Sequence, residues 1–294
     1  MEASELLKKV RKIEIKTRGL SKNIFAGEYH SAFKGRGMAF SEVRDYQYGD
    51  DIRNIDWNVT ARFNQPYIKI YEEERELTVM LIVDVSNSRV FGTQSQLKKN
   101  LITEISAVLS FSAIQNNDKI GVILFSDKVE KFIPPKKGRT HILRIIRELI
   151  EFKPENKETN ISEALRYLTN AIKKRSTAFV ISDFIDDDPS TGNPRFDEAI
   201  RIANRKHDII GLKIYDKREK EIPSVGIIRI KDAETGEYAW VDTTSLSVRR
   251  NYAQWYQKMD ASVNDTLVRA GVDFVSMATD EDYVKPLINL FKKR

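Results

Sequence analysis

The chain has 294 residues with 49 Lys and Arg against 43 Asp and Glu, a formal charge of +6. That excess is mild beside the concentrated basic stripe of a dedicated nucleic-acid binder. Its 41% hydrophobic content suffices for a substantial core and excludes a disordered chain. Cysteine is absent, which excludes disulfides, thiolate catalysis and zinc sites built on sulfur, so any metal must rest on oxygen or histidine. The length accommodates about two domains, or one large α/β unit with additions. Apolar runs such as Val79 to Val83 are strand-sized, far short of the ~18 residues a membrane helix requires. The first residues, MEASELLKKVRKIEIKTR, place apolar side chains at helical spacing among charges without a hydrophobic signal core. A soluble, cytoplasmic protein is therefore expected. The positive surplus gathers in residues 1–36 and at Lys292, Lys293 and Arg294, which reads first as solvated termini.

Residues 18–75 are irregular, with Gly27, Gly35, Gly37 and Gly49 punctuating short strand-like pieces. From Glu76 the pattern becomes an alternation of short apolar strands and longer amphipathic helices. Leu77 to Val83 is continuously apolar, as a strand covered on both faces must be. Gln96 to Gln115 predicts a helix with Leu97, Leu101, Ile105, Val108, Leu109 and Ser112 along one stripe. Ile120 to Phe125 and Val129 to Ile133 predict a hairpin ended by Pro134 and Pro135. Helices follow at about Thr140 to Glu151 and Ile161 to Lys174, then the strand Ala178 to Ile181, a helix over Phe196 to Lys206 and the strand Asp208 to Tyr215. Residues 217–247 break the rhythm with an inserted β-hairpin, Val225 to Ile230 against Glu237 to Val241. A helix from Val248 to Ala270, a strand from Val272 to Met277 and a last helix from Glu281 resume it. The fold class that results is α/β, a mostly parallel central sheet flanked by helices. Residues 1–75 form an N-terminal helix and a region of short strands, and residues 76–294 the main domain.

The sharpest local feature follows the first buried strand: Asp84-Val85-Ser86-Asn87-Ser88, a DxSxS spacing at its carboxyl end. In open α/β sheets the loops at the carboxyl ends of the strands line the ligand crevice. One carboxylate and two hydroxyls at alternate positions offer hard oxygens of the kind Mg²⁺ takes, although the same residues also make turns and helix caps. Thr159-Asn160 precedes the helix starting near Ile161 and Ser182-Asp183 follows the strand AFVI, so both loops bring oxygens to the same rim. Asn160-Ile161-Ser162-Glu163 also fits a capping box.

In order and context these residues resemble the metal-ion-dependent adhesion site of von Willebrand factor A domains. The resemblance implies a von Willebrand factor A-like fold in which Asp84, Ser86, Ser88, Thr159 and Asp183 hold a divalent cation, Mg²⁺ or else Mn²⁺ or Ca²⁺. Neutral hydroxyls with only two acids leave such a cation undercharged, so it accepts a carboxylate from a partner protein. Such domains often carry Gly immediately before the Thr, where this chain has Glu158.

A second resemblance rests on GRGMAFSEVRDYQYGDDIRNIDWNVTAR, Gly35 to Arg62, followed by EEERELTVMLIVDVS and, at the end, TDEDYVKPLINLF. These stretches are similar to the bacterial "domain of unknown function 58" family, whose members carry a von Willebrand A-like domain and are typically encoded beside MoxR-type AAA+ ATPases. That resemblance implies an adaptor or co-factor of such an ATPase, acting on a client complex.

Read physically, Gly35 to Arg62 is a structural clasp. Gly49-Asp50-Asp51 makes a turn; Arg44, Arg53 and Arg62 have Asp45, Asp50, Asp51 and Asp56 as partners; Trp57 supplies a buried anchor. A second metal site on Asp50, Asp51 and Asp56 is the competing reading. The acidic run Glu72 to Glu76 reads as a solvated strand edge. No GxxxxGK[ST], GxSxG or GxGxxG pattern is present, and His30, His141 and His207 lie in unrelated elements as surface or turn residues. The expectation is a non-catalytic, cation-dependent protein-binding module. The alternative is a basic nucleic-acid-associated protein.

Overall fold

The computed structural model describes residues 39–72, 77–86, 97–156, 158–188, 191–231 and 238–294. The expected N-terminal helix lies outside the described residues, as do Ser88 and most of the acidic run ending at Glu76. The chain divides into two compact units, with the boundary between Leu77 and Thr78.

In the smaller unit, β1 (Ala39–Asp45) and β2 (Tyr67–Glu72) pair antiparallel, joined by a 3-10 turn (Ile52–Asn54) and the helix α1 (Trp57–Phe63). Gly49 takes φ 107° in the connecting turn, a conformation a Cβ would strain. The acids of this region serve as partners and caps. Arg44 grips Asp50 through two hydrogen bonds of 2.9 and 2.8 Å. The Asp51 side chain accepts from the Arg53 N–H at 3.0 Å, while Asp56 caps α1 and lies 3.5 Å from Lys69. Trp57 is 69% exposed and so is not the buried anchor expected. It is the first residue of its helix, and the capping of α1 by Asp56 sets that helix without help from the indole.

The larger unit is built on a six-stranded sheet. Its strands are β3 (Thr78–Asp84), β4 (Lys119–Phe125), β5 (Val129–Lys136), β6 (Thr177–Ser182), β7 (Asp208–Tyr215) and, after a separate hairpin of β8 (Ile227–Lys231) and β9 (Tyr238–Asp242), β10 (Asp273–Ala278). The order is β10-β7-β6-β3-β4-β5, parallel except for β5. Strand β5 runs through Pro134 and Pro135 to Lys136 and does not stop at the prolines. It is an edge strand, where a missing N–H leaves no ladder bond unmade.

The helices are α2 (Lys98–Gln115), α3 (Arg139–Glu151), α4 (Ile161–Ala171), α5 (Asp197–Lys206), α6 (Lys217–Lys220), α7 (Leu246–Arg269) and α8 (Val284–Lys292). One face of the sheet, with Met80, Ile82, Ile123, Phe125, Ala178 and Val180, packs under α4, α5 and α7 through residues such as Leu165, Ile200 and Val263. On the other face Phe179 meets Phe291 of α8 edge-on at 6.1 Å. Strand β3 lies at the sheet's centre and is buried throughout from Val79 to Asp84, which explains its continuous apolar run. Helix α2 buries most of its circumference, including Lys98, Ser106 and Ser110. No helix among the described residues is long and apolar enough to cross a membrane.

Candidate functional site

The strand order sets the carboxyl ends of β6, β3 and β4 side by side, so three loops meet on one rim. The β3 loop is held onto β4 by the Val85 N–H, which donates to the Phe125 carbonyl at 2.8 Å. Asp84 then folds its side chain over its own loop: Oδ1 accepts the Ser86 N–H at 2.9 Å. Its other oxygen accepts the Ser182 hydroxyl at 2.7 Å, across from the neighbouring strand. Both Asp84 and Ser86 are buried.

Asp183 follows Ser182 directly. Its Oδ1 accepts the Ile185 N–H at 3.2 Å and its Oδ2 the Lys98 ammonium at 3.1 Å. Between them sits a bulky residue in the left-handed region, Phe184, with φ 61°. An aromatic side chain there costs about 1–3 kcal/mol and persists only where the surroundings over-determine it. Here they do: the ring is fully buried, meets Phe196 edge-on at 5.8 Å, and the Phe184 N–H donates to Ser182 Oγ at 3.0 Å. Gly211 of β7 makes room for it, since a Cβ there would stand 3.4 Å from Phe184 Cζ and 2.9 Å from Phe274 Cβ.

Thr159 is buried at the same end of the sheet, in the loop that the Asn160 N–H ties to the Ser126 carbonyl after β4, at 2.8 Å. Asn160 caps α4 by accepting the Glu163 N–H at 3.0 Å, the forward half of the expected capping box. Asp186 reaches back from the β6 loop to accept the Ile161 N–H at 2.9 Å. Glu158, in the position where Gly is frequent, is exposed.

Buried acids dominate the electrostatics of the described rim. Burial first, and the negative charge of Asp183 second, push Asp84 up to about 6 despite its bonds to Ser86 and Ser182. Burial likewise pushes Asp186 up to about 6. Lys98, with its side chain 2% exposed, meets Asp183 at 3.1 Å and Glu219 of α6 at 2.5 Å. Burial pulls this ammonium down, but Asp183 and Glu219 outweigh it and hold it above the ordinary lysine range.

Four of the five residues expected at the site, Asp84, Ser86, Thr159 and Asp183, stand on this rim, and Ser88 lies outside the described residues. Sequence reasoning placed Ser182 on the rim beside Asp183 without a ligand role and missed Lys98, Glu219 and Asp186. Ser182 and Asp186 flank Asp183 in one segment, whereas Lys98 and Glu219 lie on helices distant in sequence and reach the rim only through the packing of the fold. The donor chemistry fits a hard divalent cation, because the oxygens around Asp84 are carboxylate and hydroxyl oxygens. Among the described residues no three His, Cys, Asp or Glu side chains are grouped to hold a metal. A cation at this rim would need hydroxyl oxygens beside the carboxylates.

Two histidines are structural. His141 Nε2 lies 2.9 Å from the Ile120 carbonyl. His207 is fully buried against Ser176 Oγ at 3.0 Å, where a surface or turn residue was expected. It follows α5 directly and enters β7, so its chain position between two core elements carries it inside.

The sequence profile of the family described as "Protein of unknown function DUF58" matches residues 42–262. The chain belongs to that family. An uncharacterized protein of Mycobacterium tuberculosis (strain ATCC 25618 / H37Rv), Rv1480, is 26% identical over 287 residues, which is 97% of this chain and 88% of the relative. Among solved structures, an aerotolerance-related membrane protein from Bacteroides fragilis superposes with a TM-score of 0.52 at 14% identity, covering 74% of this DUF58 chain and 100% of the other. A von Willebrand factor type A protein from Catenulispora acidiphila is a more distant neighbour, with a TM-score of 0.36 at 11% identity over 76% of this chain and 43% of its own. The fold is the α/β one expected, a mostly parallel six-stranded sheet between helices with one antiparallel edge strand, and it resembles that of the Bacteroides fragilis protein.

Proposed function

We propose that this DUF58 chain is a non-catalytic protein-interaction module whose binding rim holds a divalent cation, Mg²⁺ or else Mn²⁺ or Ca²⁺, on Asp84, Ser86, Ser88, Thr159 and Asp183. The observation that carries the reading is the pair of buried carboxylates, Asp84 and Asp183, at the carboxyl ends of adjacent parallel strands, with the Ser182 hydroxyl beside Asp183 donating to Asp84 at 2.7 Å. A bound cation supplies an open coordination position for an Asp or Glu of a partner. The chain's own residues prepare that position. Ser182 orients Asp84, the strained turn at Phe184 aims Asp183, and the Asn160 cap fixes the loop that carries Thr159.

The partner we propose is a MoxR-type AAA+ ATPase or its client, offering an acidic residue to the rim. The motif resemblance supports this choice, as does the strand-end placement of the site. A cytoplasmic location goes with such a partner.

The test is capture of purified MoxR-type ATPase by the full chain, with Mg²⁺ and with EDTA, repeated with Asp84→Ala. Loss of capture on either treatment supports the metal clamp. Capture that survives both treatments overturns the clamp and leaves the partnership standing.

A further inference from the structure

Lys98 opens α2 with its ammonium inside the protein, and an ammonium there is costly unless it is paired and hydrogen-bonded. Its two carboxylate partners come from different elements. Asp183 belongs to the β6 loop of the binding rim, whereas Glu219 belongs to α6. Glu219 is held firmly: its Oε2 accepts the Asp216 N–H at 3.0 Å, and its backbone carbonyl accepts the Tyr252 hydroxyl of α7 at 2.9 Å. Asp216 in turn caps α6 through the Arg218 N–H at 2.9 Å and receives the Thr279 hydroxyl beyond β10 at 2.8 Å. The ammonium therefore stands between a fixed carboxylate on the α6 side and one of the rim acids.

We propose that Lys98 is a resident counter-ion of the rim: it neutralises Asp183 while no divalent cation is present, and it sets the cation affinity low by competing for that carboxylate. This inference rests on the metal reading above. Glu219 is the second seat of the same ammonium and keeps it paired when Asp183 turns to a cation. The consequence is a rim that folds with or without metal and exchanges it readily. Without Lys98, Asp183 and Glu219 lose the ammonium between them, which costs stability in the absence of metal and strengthens the pull on a divalent ion.

The experiment is Mn²⁺ titration of the full chain by calorimetry, together with thermal unfolding in EDTA and in Mn²⁺. Lys98→Met binds Mn²⁺ about tenfold more tightly than the unsubstituted chain, a change of the size that substitutions behind a metal's direct ligands produce but opposite in direction, because a competing charge is removed. Its midpoint in EDTA falls and Mn²⁺ restores it. Lys98→Arg, which keeps the charge, returns the affinity to the original level, and Glu219→Gln, which leaves the ammonium to Asp183 alone, weakens it. A folded Lys98→Met variant that binds no more tightly, while the unsubstituted chain binds and Asp84→Ala does not, overturns the role of Lys98 and leaves the metal site intact. Failure of the unsubstituted chain and of Lys98→Met alike to bind Mn²⁺ overturns both. Should Lys98→Met not fold even with Mn²⁺, Glu219→Gln decides, and unchanged or tighter binding by it overturns the proposal.

Discussion

The Ser182 hydroxyl donates to Asp84 Oδ2 at 2.7 Å and accepts the Phe184 N–H at 3.0 Å, so a single side chain joins two adjacent parallel strands and the strained turn beyond them. Replacing it by Ala leaves a buried carboxylate oxygen and a buried N–H without this partner. Each unsatisfied group costs about 1–3 kcal/mol. Ser182→Ala is expected to lower the urea midpoint accordingly and to weaken any cation binding at Asp84. A variant as stable as the original would show that water or backbone replaces the hydroxyl.

Phe184 gives a direct measure of backbone strain. Its φ of 61° favours Gly over any residue with a Cβ. Both Phe184→Ala and Phe184→Gly lose the aromatic packing, at about 3–5 kcal/mol. The Gly variant is expected to be the more stable of the two by about 1 kcal/mol, the reverse of the order at an ordinary position. Chemical denaturation of the pair settles it, and an Ala variant at least as stable as the Gly one removes the strain argument.

His207 makes stability depend on pH. Burial first, then the charges of Lys206 and Arg175, hold it down to about 4 from an ordinary 6.5. The unfolded chain therefore binds the proton more tightly. The His207 contribution is complete above about 6.5, falls on acidification, and is exhausted below about 4. Denaturation of the original chain and of His207→Gln across that window should show their difference shrinking by about 1–3 kcal/mol toward acid. A difference independent of pH would contradict a buried neutral imidazole.

Asp186 has the opposite sign. Burial raises it to about 6 from 3.8, so the folded chain binds the proton more tightly than the unfolded one. The stabilisation is complete below about 3.8 and is lost as pH rises through 6. Asp186→Asn retains an acceptor for the Ile161 N–H and carries no charge. Relative to the original chain it should gain about 1–2 kcal/mol between acid and neutral pH. Asp186→Ala, which removes the cap, should cost about 1 kcal/mol at acid pH.

Most of the architecture was legible because the strands and long helices of the larger unit each have a strong local signal. The continuous apolar run of β3 announced a strand covered on both faces, and the alternation of strands and helices implied the parallel sheet. Where local rules competed, tertiary position decided. The prolines of β5 look like a stop, but an edge strand tolerates them. Trp57 looks like an anchor, yet it is exposed at the start of a capped helix. His207 has no neighbours in sequence that mark it as buried, and is carried inside by the two core elements it joins.

By itself the sequence determined the fold class and the chemistry at the end of β3, since apolar periodicity and a DxSxS spacing are properties of neighbouring residues. Only the tertiary structure decided which distant groups share that rim. Lys98 opens a helix, Ser182 ends a strand, and Glu219 sits in a four-residue helix after β7. Their meeting depends on strand order and burial, and it is burial that strengthens the field between them, because charges withdrawn from water are no longer screened by it.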